Sequence, residues 1–300
     1  MKLTIRIATL CLTIIAAVGS STAWAEVCPS TNYSLTTQAQ VDALGATGCD
    51  AISGSLSIYG TDITSLSSLS GITSVGGALE ISNTTALTNL DGLSGITSVG
   101  GRLTIYGNAA LTNLDGLSGI TSVGGVLNIY SNVVLTNLDG LAGITSVGGN
   151  LYIWGNDALT NLDGLSGITS VGGDLYIYSN VVLTNLDGLA GITSVGGNLY
   201  IWGNDALTNL DGLSGITSVG GFLYISDNAA LTNLDGLSGL TSVGGSLDIR
   251  SNINLGDCVG IAPVLGWPDG PPDDLVVGAI TVQSNTSGCN SVEEILASVT

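Results

Sequence analysis

Residues 149–173 read GNLYIWGNDALTNLDGLSGITSVGG. Most of that sentence recurs along the chain: the leucine opening LTNL returns at Leu87, Leu111, Leu135, Leu159, Leu183, Leu207 and Leu231, so the period is 24 residues. A fixed period of this length means stacked structural units, one coil per repeat, each burying its neighbour's apolar surface. Residues 126–173 and 174–221 differ only at Val126/Asp174 and Asn128/Tyr176, which points to growth by duplication of a two-coil block.

Within the coil 103–126 the apolar positions are Leu103, Ile105, Leu111, Leu114, Leu117, Ile120 and Val123. Leu103 and Ile105 alternate as a short strand does. The later spacing of three is not a helical face, and it reads as short extended segments broken by glycine corners. Gly, Thr, Ser and Asn fill the rest, and they favour helix poorly. The fold class is therefore all-β, a β-solenoid with inward columns of Leu, Ile and Val. Strands starting at Leu56 and continuing to Leu247 give nine rungs, and Ile280 and Val282 suggest a tenth. At about 4.8 Å per rung, ten make a body of roughly 45 Å.

The flanks read as caps. Residues 1–25 combine Lys2 and Arg6, an apolar stretch and Ala23-Trp24-Ala25, the pattern of a cleaved signal peptide with Glu26 as the first mature residue. That places the mature protein outside the cytoplasm, secreted or at the cell surface, or in a periplasm. An exported chain oxidises its cysteines, and a long solenoid keeps its ends apart, so Cys28 pairs with Cys49 and Cys258 with Cys289. Residues 36–44 and the stretch SVEEILASV are short helix candidates at the two ends. The expected organisation is signal peptide 1–25, disulfide-clamped N-terminal cap 26–53, repeat solenoid 54–253, and C-terminal cap 254–300 with a final coil and an insertion loop.

With 45 glycines, no histidine and only 9% charged residues, the composition is not that of an average enzyme. The net charge of −19 disfavours nucleic acid and anionic lipid as partners. Absence of histidine excludes Ser-His-Asp triads and histidine metal sites. Nearly every acid in the array has a copy one or two coils away, whereas catalysis wants a unique constellation; Asp269, Asp273 and Asp274 form the non-repeated cluster and read as a polar loop. No catalytic residue, cofactor or metal is assigned. Calcium on the Asp column (Asp91 to Asp235) and ice binding by the Thr columns are the weaker readings.

The segment GCDAISGSLSIYG followed by the recurring L-x-x-V-G-G-x-L-x-I-x-x-N-x-x-L-x-x-L-x-G-L, over about residues 47–255, resembles the receptor L-domain superfamily; the leucine-rich repeat frame is the runner-up. That resemblance implies a right-handed β-helix whose large sheet carries ligand. Near-identical repeats and a greater number of coils set this chain apart from receptor L domains.

Side chains alternate along a strand, so the residues flanking the constant Leu and Ile point outward. The first outward column runs Ser57, Glu80, Thr104, Asn128, Tyr152, Tyr176, Tyr200, Tyr224, Asp248, and the second Tyr59, Ser82, Tyr106, Tyr130, Trp154, Tyr178, Trp202, Ser226, Arg250. These columns hold eight of the nine tyrosines. An outward aromatic surface marks a binding face. The predicted face is Tyr106, Tyr130, Tyr152, Trp154, Tyr176, Tyr178, Tyr200, Trp202 and Tyr224, offered to an extracellular glycan, whose sugar rings would lie on successive aromatic faces, or to a surface protein. Aromatics that merely brace a structural rod, with lateral self-association, are the alternative.

Overall fold

A computed structural model describes residues 26–268 and 275–299. The stretch 1–25 that reads as a signal peptide and the carboxylates Asp269, Asp273 and Asp274 lie outside the described residues. The chain winds as a β-solenoid with two parallel sheets. The large sheet has eleven strands among the described residues, from Tyr33–Leu35 through Leu56–Tyr59 and its successors to Ile280–Gln283. The small sheet has nine two-residue strands, from Ala51–Ile52 to Ser242–Val243. Tyr33–Leu35 is one rung more than the sequence pattern predicts. It lacks the Leu-x-Ile signature, yet pairs in register with Leu56–Ile58. The tenth predicted rung is present, Leu247 opposite Ile280.

Every inward Leu, Ile and Val of the repeats is buried, and one continuous core runs the length of the molecule. Full burial of each such side chain is worth about 1.5–3 kcal/mol. The threefold spacing has a different cause from the expected extended corners. Each coil closes through a 3₁₀ turn such as Asp115–Leu117. Leu117 N–H donates to the Leu114 carbonyl at 2.8 Å and Ile120 N–H to the Leu117 carbonyl at 3.0 Å. In a 3₁₀ helix residues i and i+3 eclipse, so a spacing of three puts Leu114, Leu117 and Ile120 on one inward line. The glycine in each Asp-Gly-Leu turn is forced by close approach: a Cβ on Gly140 would collide with the Leu114 carbonyl of the coil below.

A second line of groups fixes the axis. Asn108, Asn132, Asn156, Asn180, Asn204, Asn228 and Asn252 are fully buried. Each amide bonds up and down the stack. Asn132 Nδ2 donates to the Ile105 carbonyl at 3.0 Å, while Asn156 Oδ1 accepts from Asn132 N–H at 3.2 Å. Asn83, the nearest asparagine in the coil before, falls one residue out of the 24-residue register; it is exposed and has φ of 51°. The ladder position belongs to Thr84, whose hydroxyl donates to Asn108 Oδ1 at 2.7 Å. Asn83 instead holds the left-handed corner that Gly107, Ser131, Gly155 and their successors hold in later coils.

Both disulfides form as expected, with Cα separations of 4.9 Å for Cys28–Cys49 and 5.6 Å for Cys258–Cys289. Helix α1 (Gln38–Gly45) begins at Thr37, whose hydroxyl accepts from Gln40 N–H, and buries Val41 and Leu44 against the first coil. Helix α2 (Val292–Ser298) begins at Ser291, whose hydroxyl accepts from Glu294 N–H, and packs on the last 3₁₀ turn through Ile295. Exposed strand edges at the ends of a solenoid invite polymerisation, and these elements flank both.

Candidate binding face

In-register parallel pairing places equivalent positions of successive coils side by side. Tyr152, Tyr176, Tyr200 and Tyr224 are consecutive neighbours, as are Tyr106, Tyr130, Trp154, Tyr178 and Trp202. The inner faces of these strands are fully buried, while all nine rings project outward and are half-buried except Trp202, which is 37% exposed. All predicted face residues therefore come together on the large sheet. Tyr59 lies outside the run, opposite Ser82, and no ring neighbours it across the strand pair.

The rings stack on one another. In the second column the centroid separations are 4.6, 4.3, 5.3 and 4.8 Å from Tyr106 to Trp202, with interplanar angles of 2° to 11°. In the first column Tyr176 and Tyr200 stack at 4.6 Å, with Tyr152 edge-on to Tyr176 and Tyr224 tilted against Tyr200. This corrects the expectation that sugar rings lie on successive aromatic faces. Rung spacing suits ring-on-ring contact, so the faces are spent on neighbouring rings, and ring edges and hydroxyls remain for a ligand. Faces stay open only where a column meets a small residue: Tyr106 beside Ser82, Trp202 beside Ser226, and Tyr152 beside Asn128. Arg250 covers the remaining end, 5.2 Å from the Tyr224 ring centre, and donates to its hydroxyl at 3.1 Å. Burial raises the phenol pKa of Tyr130, Tyr176, Tyr178 and Tyr200, with neighbouring phenols and the acids Glu80 or Asp174 adding to the rise at three of them.

Each end of the aromatic run opens into a recess. One, of about 420 Å³, lies where Thr104 and Asn128 replace tyrosine in the first column, with Glu80 and Arg102 at its rim. The other, of about 240 Å³, lies between Tyr200, Phe222, Tyr224 and Asp248. Arg102 and Arg250 are the only basic residues among the described ones, and each pairs with an acid of the large sheet: Glu80 at 3.2 Å and Asp248 at 3.7 Å. Sequence reasoning passed over these recesses and Phe222. The signal was present as small residues interrupting an aromatic column, and as two lone arginines in an acidic chain.

The remaining columns are occupied by the fold. At each 3₁₀ corner that starts with Asp, from Asp91 to Asp235, the Asp N–H donates to the preceding Asn, as Asp115 does to Asn113 Oδ1 at 3.1 Å, so asparagine, not the carboxylate, is the acceptor there. Among the described residues no three or more Asp, Glu, Cys or His side chains gather as a metal group would. Threonine hydroxyls donate to the preceding coil, as Thr121 does to the Thr97 carbonyl at 3.3 Å and Thr112 to the Thr88 carbonyl at 3.3 Å. Those protons are unavailable for ordering water. An apolar cavity of about 430 Å³ lies at the C-terminal cap, lined by Val259, Pro263, Trp267 and Val299, away from the aromatic run. No helix among the described residues is long and apolar enough to cross a membrane.

No curated protein matches the chain. Residues 48–113, which hold the strands Leu56–Tyr59, Leu79–Ser82 and Leu103–Tyr106 of the large sheet, match the family model of the receptor L domain.

Proposed function

We propose that the protein is an exported recognition module without catalytic activity, which binds a glycan or a surface protein on the outer face of its large sheet. The observation that carries this reading is the concentration of stacked tyrosine and tryptophan on that one face, above strands whose inward residues scarcely vary. Tyr and Trp are the side chains that dominate binding energy at interfaces, and a ridge of ring edges and phenol groups offers apolar contact and hydrogen bonds together. The receptor L-domain match supports a ligand-binding role, and two disulfides suit a secreted or cell-surface location.

A second reading has an observation of its own. Rings that stack on each other already gain interaction energy, so they brace the sheet of a structural rod whether or not a ligand is present. Binding by the wild type and a Trp154→Ala/Trp202→Ala double variant, on arrays of glycans and purified surface proteins, separates the two. The recognition reading expects a ligand whose affinity falls about tenfold or more in a variant of unchanged circular dichroism. A ligand bound equally by both proteins removes the aromatic face from the site.

A further inference from the structure

We infer that the recess over Thr104 and Asn128 is a subsite for a single neutral sugar ring. This rests on the large-sheet reading above and names the ligand class for one place on that sheet.

The recess exists because the sequence withholds two rings. Tyrosine occupies the first outward column at residues 152, 176, 200 and 224, but Asn128 and Thr104 stand in the two coils before them. The second column stays aromatic at Tyr106 and Tyr130, so the missing rings leave a cavity instead of a flat step. Its volume of about 420 Å³ falls in the range of small-ligand sites.

The lining selects the chemistry. Tyr106 and Tyr130, stacked at 4.6 Å, form a wall of ring edges and phenol groups. Thr104, 7% exposed, lies against the sheet. Asn128 Oδ1 is enclosed and has no hydrogen-bond partner, a deficit that typically costs about 1–3 kcal/mol and that a ligand hydroxyl would repair once the side chain turns this oxygen into the recess it lines. At the rim, the Glu80 carboxylate and the Arg102 guanidinium sit 3.2 Å apart, an acceptor and a donor side by side. A pair of adjacent ring hydroxyls, each able to donate and accept, complements that arrangement. An apolar ligand would leave Asn128 Oδ1 buried and unpaired. An acidic sugar meets a guanidinium already neutralised by Glu80, in a chain of net charge −19. A cation meets Arg102.

The test is an array of neutral and acidic mono- and oligosaccharides, with hits followed by titration calorimetry on the full mature chain. Asn128→Tyr is the principal variant. It continues a column that already carries tyrosine in the next coil, so it keeps the fold while filling the recess and removing the unpaired oxygen. Glu80→Gln serves as a second variant that leaves the recess open but takes away the charged acceptor. The inference expects a neutral sugar whose affinity falls about tenfold or more in Asn128→Tyr and several-fold in Glu80→Gln. A neutral sugar bound equally by wild type and both variants, or no neutral sugar bound at all, overturns the subsite. The wider reading fails separately, when no ligand of any class loses affinity in Trp154→Ala/Trp202→Ala.

Discussion

Two outward faces run the length of this solenoid on the same 24-residue register, and they use it in opposite ways. On the small sheet, Thr-Ser-Val-Gly-Gly repeats unchanged in eight coils, from Thr73 to Gly245. On the large sheet the outward positions change from coil to coil while Leu and Ile between them stay fixed. Solvent exposure does not distinguish the faces, since the threonines of the small sheet are exposed. What differs is where the polar groups go. Thr97, Thr121, Thr145 and Thr169 each donate a hydroxyl to the carbonyl of the coil before, so the small-sheet face is spent on joining coils. The large-sheet face makes its contacts through stacked rings, through Arg102, Arg250 and their partners, and through single bonds such as that from Asn150 Nδ2 to the Tyr152 hydroxyl, and it leaves ring edges and two recesses open.

The largest effect is expected where neither face is involved. Asn156 lies between them in the buried ladder, and Asn156→Leu would remove four hydrogen bonds, those to the Ile129 and Trp154 carbonyls and those from the N–H and amide of Asn132, leaving the buried Asn132 N–H without a partner. At about 1 kcal/mol for each bond lost and about 1–3 kcal/mol for the N–H left unpaired, the loss is about 4 kcal/mol. Urea denaturation should show a large fall in midpoint. The same substitution at half-buried Asn285, the last rung of the ladder, should cost distinctly less. Equal losses at both positions would mean that the ladder is not the element holding the coils in register.

A paired substitution tests the contrast between the faces directly. Trp154→Ala removes ring contacts at 4.3 and 5.3 Å, worth about 0.5–1.5 kcal/mol each, so about 2 kcal/mol of stability goes with it. Thr121→Val removes one hydroxyl bond to the Thr97 carbonyl and costs about 1 kcal/mol, softened by the good fit of valine to a strand surface. The face contrast expects only the tryptophan variant to lose ligand. Thermal unfolding read beside binding decides it: loss of binding by Thr121→Val would give the small sheet a role that its hydrogen bonding leaves no room for.

Much of this was readable from residues alone, because a tandem repeat displays its own constraints. The constancy of Leu103 and Ile105 against the variation of Thr104 and Tyr106 fixed inside and outside, and end-placed cysteines fixed the disulfides. Three features were not readable, each for a physical reason. Tyr33–Leu35 is a strand because Leu56–Tyr59 templates it, not through a pattern of its own. The spacing of three in Leu114, Leu117 and Ile120 is shared by 3₁₀ turns and by cornered extended segments, and only the i to i+3 bonds separate them. The ring planes were the costliest omission. Column membership says that tyrosines are adjacent, but whether their faces meet each other or the solvent depends on χ angles that the period does not encode. The recess beside Asn128 was legible by contrast, since Thr104 and Asn128 interrupt the tyrosine column in the sequence itself.

The smallest expected effect concerns those rings in alkali. Tyr130, Tyr176, Tyr178 and Tyr200 hold their protons above the ordinary phenol value of 10.0 because ionisation would place charge on partly desolvated rings, with Glu80 beside Tyr130 and Asp174 near Tyr176 and Tyr200 making it harder. The folded chain then binds more phenolic protons than the unfolded chain at pH values just above 10. Stability is therefore fully present below that pH and declines as pH rises through the folded values. Absorbance titration of tyrosinate should give a native curve displaced upward from that of the urea-unfolded protein. The displacement should shrink in Trp154→Ala, whose absence opens the flanks of Tyr130 and Tyr178 to water. The small sheet carries no tyrosine in its strands, so Thr121→Val should leave the curve where it is. If the two variants shifted it alike, the rise would be a property of the whole folded chain and not of the stacked face.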